Sequence, residues 1–408
     1  MHYTYFVGLD VSKNFFHACL IDSSQNVLFN QSYPLDYQGI SSFTKALPQG
    51  LKKSILIGIE SSSCYHLNLI TYLVNHNFTC VILNPILIKN FAKLSLRKTK
   101  TDAIDAKTIA IFLSQFHQKL PPQAFTSEEF KDLARERERI SQEIAKRKNN
   151  LEKLVVVTFP ELERTVNIYN TSILKLLEKF PSAKAIKKAS LEEIENILSS
   201  QKGKKPAISA KEIKALAEYS IAQNWPAKEY ILSRTIQELF FLQETLKEIE
   251  KLLKSACKEI SACQDLDILL SIEGIGEITA LHFLAEIQDI KRFQSYKQLI
   301  AYAGLDPAVY ESGNFKGKSK ISKRGNRHLR RVVWLMSINV IRHNPIFWSY
   351  FERRKRQGLP YKKAVLATAH KLLRIIYALL KYKKYFDPST TYHNIPSQGG
   401  FYYAYNFS

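Results

Sequence analysis

Residues 5–33 read YFVGLDVSKNFFHACLIDSSQNVLFNQSY. They hold three short apolar runs, YFVGLDVS, FFHACLID and the segment from Val27 to Tyr33, with the turn formers Asp22-Ser23-Ser24-Gln25-Asn26 between the last two. Aromatic and β-branched residues bounded by turn residues favour strands, so three adjacent strands are expected. A fourth run, SILIGIE, precedes a helix-like stretch from Tyr65 to Asn75. A fifth, FTCVILNP, precedes an amphipathic segment and then the helix-like DAIDAKTIAIFLSQF. The expected order is four strands, a helix, a strand and two helices.

That order matches the ribonuclease-H-like fold, in which three antiparallel strands lead and the rest alternate with helices. Asp10 ends FVGLD, Glu60 ends ILIGIE, and Asp102 and Asp105 sit three apart in TKTDAIDAK. If strands one and four are neighbours, Asp10 and Glu60 project together from the sheet. A spacing of three puts Asp102 and Asp105 on one helix face. Residues 1–112 contain six acids, and these are four of them, while Asp22 and Asp36 fall in turn-like sequence. Clustered carboxylates repel unless a cation neutralises them, and oxygen ligands select Mg²⁺ or Mn²⁺ over zinc. A pair of such ions activates an attacking oxygen and stabilises the leaving one in phosphodiester chemistry. The blander reading, four unrelated surface acids, does not account for their joint placement.

After Pro121-Pro122 the sequence turns charged and helix-forming, with a long helix expected from an N-cap at Ser127 and a second after Trp225-Pro226. The two are expected to pair as an antiparallel arm or to dimerise as a coiled coil. From Leu266 the chain becomes compact again. IEGIGEITA, residues 272–280, resembles a helix-hairpin-helix turn, whose Gly274 and Gly276 would let backbone N–H groups approach a phosphate; a plain helix connection is the competing reading. The expected division is 1–120, an α/β catalytic domain; 121–265, a helical arm; 266–386, a basic, mostly helical domain; and 387–408, a flexible tail.

The chain has 408 residues, 45% of them hydrophobic, and a net charge of +22. Disorder as the main state is excluded on that composition, and no apolar run approaches the ~20 residues of a membrane-spanning helix. The N-terminus lacks a signal-peptide pattern, which predicts a soluble cytoplasmic protein without a membrane partner. Five scattered cysteines indicate neither a disulfide framework nor a zinc knuckle. Between Asp289 and Lys384 there are 23 Lys and Arg against four Asp and Glu, nearly the whole surplus. Interleaved with aromatic residues such as Tyr302, Trp334 and Trp348, that density predicts a nucleic-acid-binding surface. Its densest part is the stretch GLDPAVYESGNFKGKSKISKRGNRHLRRVVW, with Lys316, Lys318, Lys320, Lys323, Arg324, Arg327, Arg330 and Arg331 as phosphate contacts. Ser312, Ser319 and Ser322 are equal candidates for a reactive hydroxyl on first principles. His328 and His370 are candidate acid/base residues, with a structural role the commoner case.

Taken together, GLDVSK, GIES, KTDAIDA, IEGIGEITA, FQSYKQLIAYAGLDP, ESG and SKRGNRHLRR resemble the DEDD transposases of the insertion-sequence-110 family, which include Piv-type DNA invertases. The resemblance spans Tyr5 to Phe116 and Leu266 to Tyr385. It implies a RuvC-like N-terminal domain in which Asp10, Glu60, Asp102 and Asp105 bind Mg²⁺. It also implies a C-terminal serine nucleophile, matching Ser312, that forms a covalent phosphoserine with DNA. Donor and target DNA, a structured guide RNA and a homo-dimer or tetramer are the partners it implies, in a bacterial or archaeal cytoplasm. Two other readings compete: a Holliday-junction-type nuclease hydrolysing with the four acids alone, and a nucleic-acid-binding protein with a decayed catalytic domain.

Overall fold

A computed structural model describes residues 3–60, 64–83, 85–93, 101–119, 128–200, 206–259, 262–308, 311–312, 315–316 and 320–389. The chain forms two compact units, residues 1–126 with 291–294, and residues 127–290 with 295–408.

The first unit begins with the expected meander of β1 (Tyr5–Val11), β2 (Phe15–Asp22) and β3 (Val27–Pro34). Then follow α1 (Tyr37–Ala46), β4 (Ile55–Glu60), α2 (His66–Asn75), β5 (Thr79–Leu83), α3 (Pro85–Ala92) and α4 (Asp102–Phe116). One mixed sheet results, in the order β3-β2-β1-β4-β5, with β1 antiparallel to β2 and parallel to β4. Side chains alternate across it. Val7, Leu9, Ile55 and Ile57 pack with Ile40 and Phe43 of α1 and Leu69 and Leu73 of α2. Phe6, Cys19 and Leu56 pack on the other face with Ala106, Ile109, Ala110 and Leu113 of α4. Helix α1 departs from the expected order. Its sequence, YQGISSFTKA, is poor in strong helix formers; the Asp36 side chain nevertheless caps it, accepting from the Gly39 N–H at 2.7 Å, and Ile40 and Phe43 anchor it to the sheet.

The second unit opens with α5 (Glu128–Thr158), its expected cap Ser127 lying outside the described residues. Five short helices follow: α6 (Pro160–Thr165), α7 (Thr171–Lys179), α8 (Ala183–Lys188), α9 (Leu191–Ser199) and α10 (Ala210–Glu218). Capping boxes at Ser190 with Glu193 and Ser209 with Glu212 start α9 and α10. Next, α11 (Pro226–Glu259) returns along α5, and ion pairs Arg137–Glu250 (2.8 Å) and Arg147–Glu238 (2.7 Å) fix the pairing as antiparallel within one chain. Leu151, Leu154 and Val155 of α5 and Leu232, Ile236 and Leu239 of α11 share a core with the short helices.

The remainder comprises α12 (Cys263–Leu270), α13 (Glu277–Ile287) and α14 (Tyr296–Tyr302). After them come the two-residue strands β6 (Pro307–Ala308), β7 (Glu311–Ser312), β8 (Phe315–Lys316) and β9 (Lys320–Ile321), then α15 (Arg327–His343), α16 (Pro345–Arg356) and α17 (Tyr361–Tyr382). Helix α17 is the central element, with Leu372, Leu373, Ile375 and Ile376 fully buried. Among the described residues no helix is long and apolar enough to cross a membrane. Most of the expected tail, residues 390–408, lies outside the described residues.

Candidate active site and nucleic-acid interface

The parallel register of β1 and β4 runs from Tyr5 opposite Ile55 to Leu9 opposite Ile59, so Asp10 and Glu60 follow as neighbours at the two C-terminal strand ends. By alternation Asp10 shares its face with Phe6 and Gly8, and Glu60 with Leu56 and Gly58, the face that α4 covers. The two glycines explain how closely α4 lies. A Cβ on Gly8 would come within 2.0 Å of the Ala106 carbonyl oxygen, and one on Gly58 within 2.5 Å of Leu113 Cδ1. Near the other end of the helix, the His117 ring sits 5.1 Å from Phe6 and 5.9 Å from Tyr3. Helix α4 therefore runs opposite to β1, and its first turn, with Asp102 and Asp105, lies toward the Asp10 end. Thr101 caps that turn, its hydroxyl accepting from the Ile104 N–H at 3.3 Å.

All four expected acids thus belong to one end of one sheet face. Asp10, Glu60 and Asp105 are half-buried and Asp102 is exposed. Among the described residues no three His, Cys, Asp or Glu side chains are gathered tightly enough to hold a metal ion as they stand. The donor set is nevertheless all carboxylate oxygen, which suits Mg²⁺ or Mn²⁺. Two further polar residues share this face. His17 pairs with Asp10 across the β1–β2 hairpin, and its Nε2 lies 2.9 Å from Asn30 Oδ1; Asn30 Nδ2 in turn donates to the Ala103 carbonyl in the first turn of α4 at 3.4 Å. The sequence signal for His17 was the hairpin register, since Asp10 and His17 flank its turn symmetrically.

In the second unit, the loop expected to grip phosphate is closed at its root. Ser322 N–H donates to the Asp306 carbonyl (2.9 Å), Lys323 N–H to Gly304 (3.1 Å) and Asn326 N–H to Tyr302 (2.6 Å). Gly304, at φ +64°, and Gly325 touch there, and a Cβ on Gly325 would fall 2.2 Å from the Tyr302 oxygen. Strand β6 pairs with β9, and β7 with β8, which sets Ser312 opposite Phe315. The backbone of Lys316 and Lys320 is in β8 and β9; the side chains of Ser312, Lys316 and Lys320, and all of Lys318 and Ser319, lie outside the described residues. The Ser322 hydroxyl donates to Asp306, a structural role.

Lys323, Arg324 and Arg327 are exposed, as a phosphate surface requires. Arg330 and Arg331 also have work inside the protein: Arg330 Nη1 donates to the Ala303 carbonyl at 3.0 Å, and Arg331 Nε is 3.2 Å from Glu138. His328 Nδ1 meets the same Glu138 at 2.6 Å. His370 Nε2 lies 2.9 Å from the Leu305 carbonyl, and burial lowers its pKa, so it is a neutral structural group. At the glycine turn, Gly274 (φ +98°) packs against the α15 backbone, where a Cβ would lie 2.9 Å from the Asn339 oxygen, whereas Gly276 faces open space as the N-cap of α13. Glu277, in the first turn of α13, pairs with Lys254 at 2.5 Å.

Beneath these residues lies a buried charge network that no local pattern in the sequence announces. Glu286, fully buried, accepts two bonds from Arg135 (2.7 and 2.9 Å) and one from Asn326 (2.6 Å). Its burial opposes ionisation, and the Arg135 bonds outweigh that and lower its pKa. Nearby, burial pushes the His282 imidazole down to about 4. Asn326 also caps α15, accepting from the His328 and Leu329 N–H groups, so this network holds the start of the helix that carries Arg327, Arg330 and Arg331.

Comparison with known proteins gives two family matches. A transposase model named for the DEDD set and IS110 matches residues 7–160, and the Transposase IS116/IS110/IS902 family model matches residues 266–352. The pilin gene-inverting protein of Moraxella lacunata is 23% identical over 388 residues, 94% of this chain and 97% of that protein. An IS900 42 kDa protein of Mycobacterium paratuberculosis is 27% identical over 235 residues, 56% of this chain and 58% of that protein. The transposase of the element IS1111A of Coxiella burnetii is 34% identical over 163 residues, 38% of this chain and 43% of that protein.

Proposed function

The chain belongs to the insertion-sequence-110 family of transposases, and we propose that it cuts and rejoins DNA with its four carboxylates and a serine nucleophile. The placement of Asp10 and Glu60 on adjacent strand ends, beneath the helix that begins with Asp102 and Asp105, carries this reading. In it, residues 1–120 are the RuvC-like catalytic domain, 121–265 the arm and 266–386 the basic transposase domain. The sheet order β3-β2-β1-β4-β5 supports the ribonuclease-H-like assignment.

Asp10, Glu60, Asp102 and Asp105 would hold Mg²⁺, or Mn²⁺, which when bound polarises the scissile phosphate and stabilises the departing oxygen. The Ser312 hydroxyl loses its proton and attacks phosphorus, forming a serine phosphodiester as one DNA hydroxyl leaves. A second DNA hydroxyl then attacks that phosphodiester, joins the new strand and restores the serine. Bond energy is conserved through both steps, so strand exchange needs no high-energy cofactor. The exposed cations Lys323, Arg324 and Arg327 hold the backbone of donor or target DNA and of a structured guide RNA, in a dimer or tetramer. Sequence choice then rests on base pairing, in keeping with a strong backbone-binding surface. Inversion is the second outcome of the same chemistry, favoured by a pilin gene-inverting relative that aligns along 94% of this chain.

Covalent capture tests the reading. The full chain, co-expressed with transcripts from its native flanks, is incubated with Mg²⁺ and DNA spanning the element junction, and any DNA-linked peptide is mapped by mass. An adduct at Ser312 is expected, and Asp10→Asn is expected to reduce it by roughly 10³-fold, the scale of losing one electrostatic stabiliser. Cleaved DNA without an adduct would replace the recombinase by a metal-dependent nuclease of the Holliday-junction type.

A further inference from the structure

Beside the root of the basic loop, a cavity of about 320 Å³ opens among the loop, α15 and α17. Its apolar wall includes Leu305, Ile321 and Leu366, and the half-buried indole of Trp334 forms one side. Arg327, Arg330, Arg331 and Lys362 also line the cavity, almost wholly through their carbon stems. Three of them also make a contact within the protein. Arg327 Nε reaches His328 Nε2 (3.3 Å), Arg330 Nη1 the Ala303 carbonyl (3.0 Å) and Arg331 Nε the Glu138 carboxylate (3.2 Å). A guanidinium has five N–H donors, so each arginine keeps most of its donors after that contact. The arginines are therefore positioned in advance, with capacity left for a ligand.

The chemistry of the wall narrows the occupant. A simple anion would use the cations and waste the apolar wall and the indole. An apolar side chain of a protein would fill the wall and make no use of the charge that Arg327, Arg331 and Lys362 expose beside it. A nucleotide satisfies both parts, with a flat heteroaromatic ring for the wall and Trp334, and phosphates for the arginines and lysine. The volume is near the lower end of the ~300–1,000 Å³ of small-molecule sites, enough for one base. Resting on the reading that this chain handles DNA strands, we propose that the cavity receives a single unstacked base of the DNA. Its flanking phosphates bind Arg327, Arg331 and Lys362. Because Leu305 and Ile321 lie at the root of the loop that carries Ser312, an occupied cavity would anchor the strand beside that loop. Enzymes that extract a base from the stack spend least on one that is already unpaired, so an unpaired position is the preferred ligand.

The test compares binding of the full-length protein to DNA duplexes with and without a single-base bulge, followed by fluorescence anisotropy, with 2-aminopurine at the bulge and matched RNA duplexes as a separate arm. The bulged DNA is expected to bind about tenfold more tightly, the scale of one base–aromatic stack, with a change in 2-aminopurine emission. Leu366→Trp, which fills the cavity, and Trp334→Leu should each erase the preference, and Trp334→Phe should keep it; thermal melting checks that each variant is folded. DNA binding without a bulge preference, or a preference untouched by Leu366→Trp in a folded protein, would overturn the pocket. A preference confined to the RNA arm would overturn its assignment to DNA. Failure of the wild-type chain to bind any DNA would instead overturn the reading on which the pocket rests.

Discussion

Gly8 has no room for a methyl group, because the Ala106 carbonyl oxygen would lie 2.0 Å from it. Gly8→Ala is therefore expected to push α4 off the sheet at a cost of about 3 kcal/mol or more, backbone having less freedom to yield than side chains. Urea denaturation of the variant measures that loss, and an unchanged midpoint would show that α4 does not lie as close as described. His282 makes a second residue-scale prediction. Its folded pKa of about 4 lies below the ordinary 6.5. Above pH 6.5 both states are neutral and the full stability is present; between 6.5 and 4 the unfolded chain takes up a proton that the folded chain does not. Stability should thus fall as pH drops through this window, by about 1.4 kcal/mol per pH unit from this group. Denaturation series at pH 7, 5.5 and 4.5 should show that slope in the parent and a shallower one in His282→Gln. The acids of the first unit were legible because a strand pattern gives parity directly: once Leu9 and Ile59 point one way, Asp10 and Glu60 point the other. The double duty of Arg330 and Arg331 was not, since Glu138 lies nearly two hundred positions away in sequence and nothing local ties it to Arg331.

At the scale of elements, the glycine turn between α12 and α13 separates two roles that sequence alone had joined. Gly274 has a positive φ and touches the backbone of α15, so Gly274→Ala should cost about 2 kcal/mol or more. Gly276 has an ordinary φ and open space around it, so Gly276→Ala should change the melting temperature little. If Gly276 meets a phosphate, its alanine variant weakens DNA binding at unchanged stability; two equally destabilised variants would contradict the assignment. Strands β1 to β5 and the two long helices were readable from periodicity. Helix α1 was not, because a cap at Asp36 and two apolar anchors outweigh its weak intrinsic propensity, and anchoring is a tertiary effect. The partner of the apolar stripe was also hidden, because such a stripe does not name what it packs on; the ion pairs from Arg137 and Arg147 to α11 show the two helices paired antiparallel within the chain.

Across the whole molecule, the surplus of positive charge past residue 289 makes nucleic-acid affinity a function of salt. Lys323→Glu with Arg324→Glu should lower the slope of log affinity against log salt by about 0.9 for each phosphate contact removed, at unchanged target choice. Titrations at several salt concentrations measure the slope, and a variant with the parent slope and a new preferred sequence would show these residues reading bases. The antiparallel course of α5 and α11 has one more consequence. The chain leaves the pair near Thr158 and re-enters it near Pro226, at the same end, so the five short helices are an insertion spliced into a hairpin. Such a module is separable: joining Arg147 to Glu238 by a short glycine-rich turn should yield a smaller recombinase whose acids and basic loop still fold. Retained strand joining in that miniature would make residues 148–237 a replaceable cartridge, and loss of joining with intact DNA cleavage would locate in them the step that brings partners together.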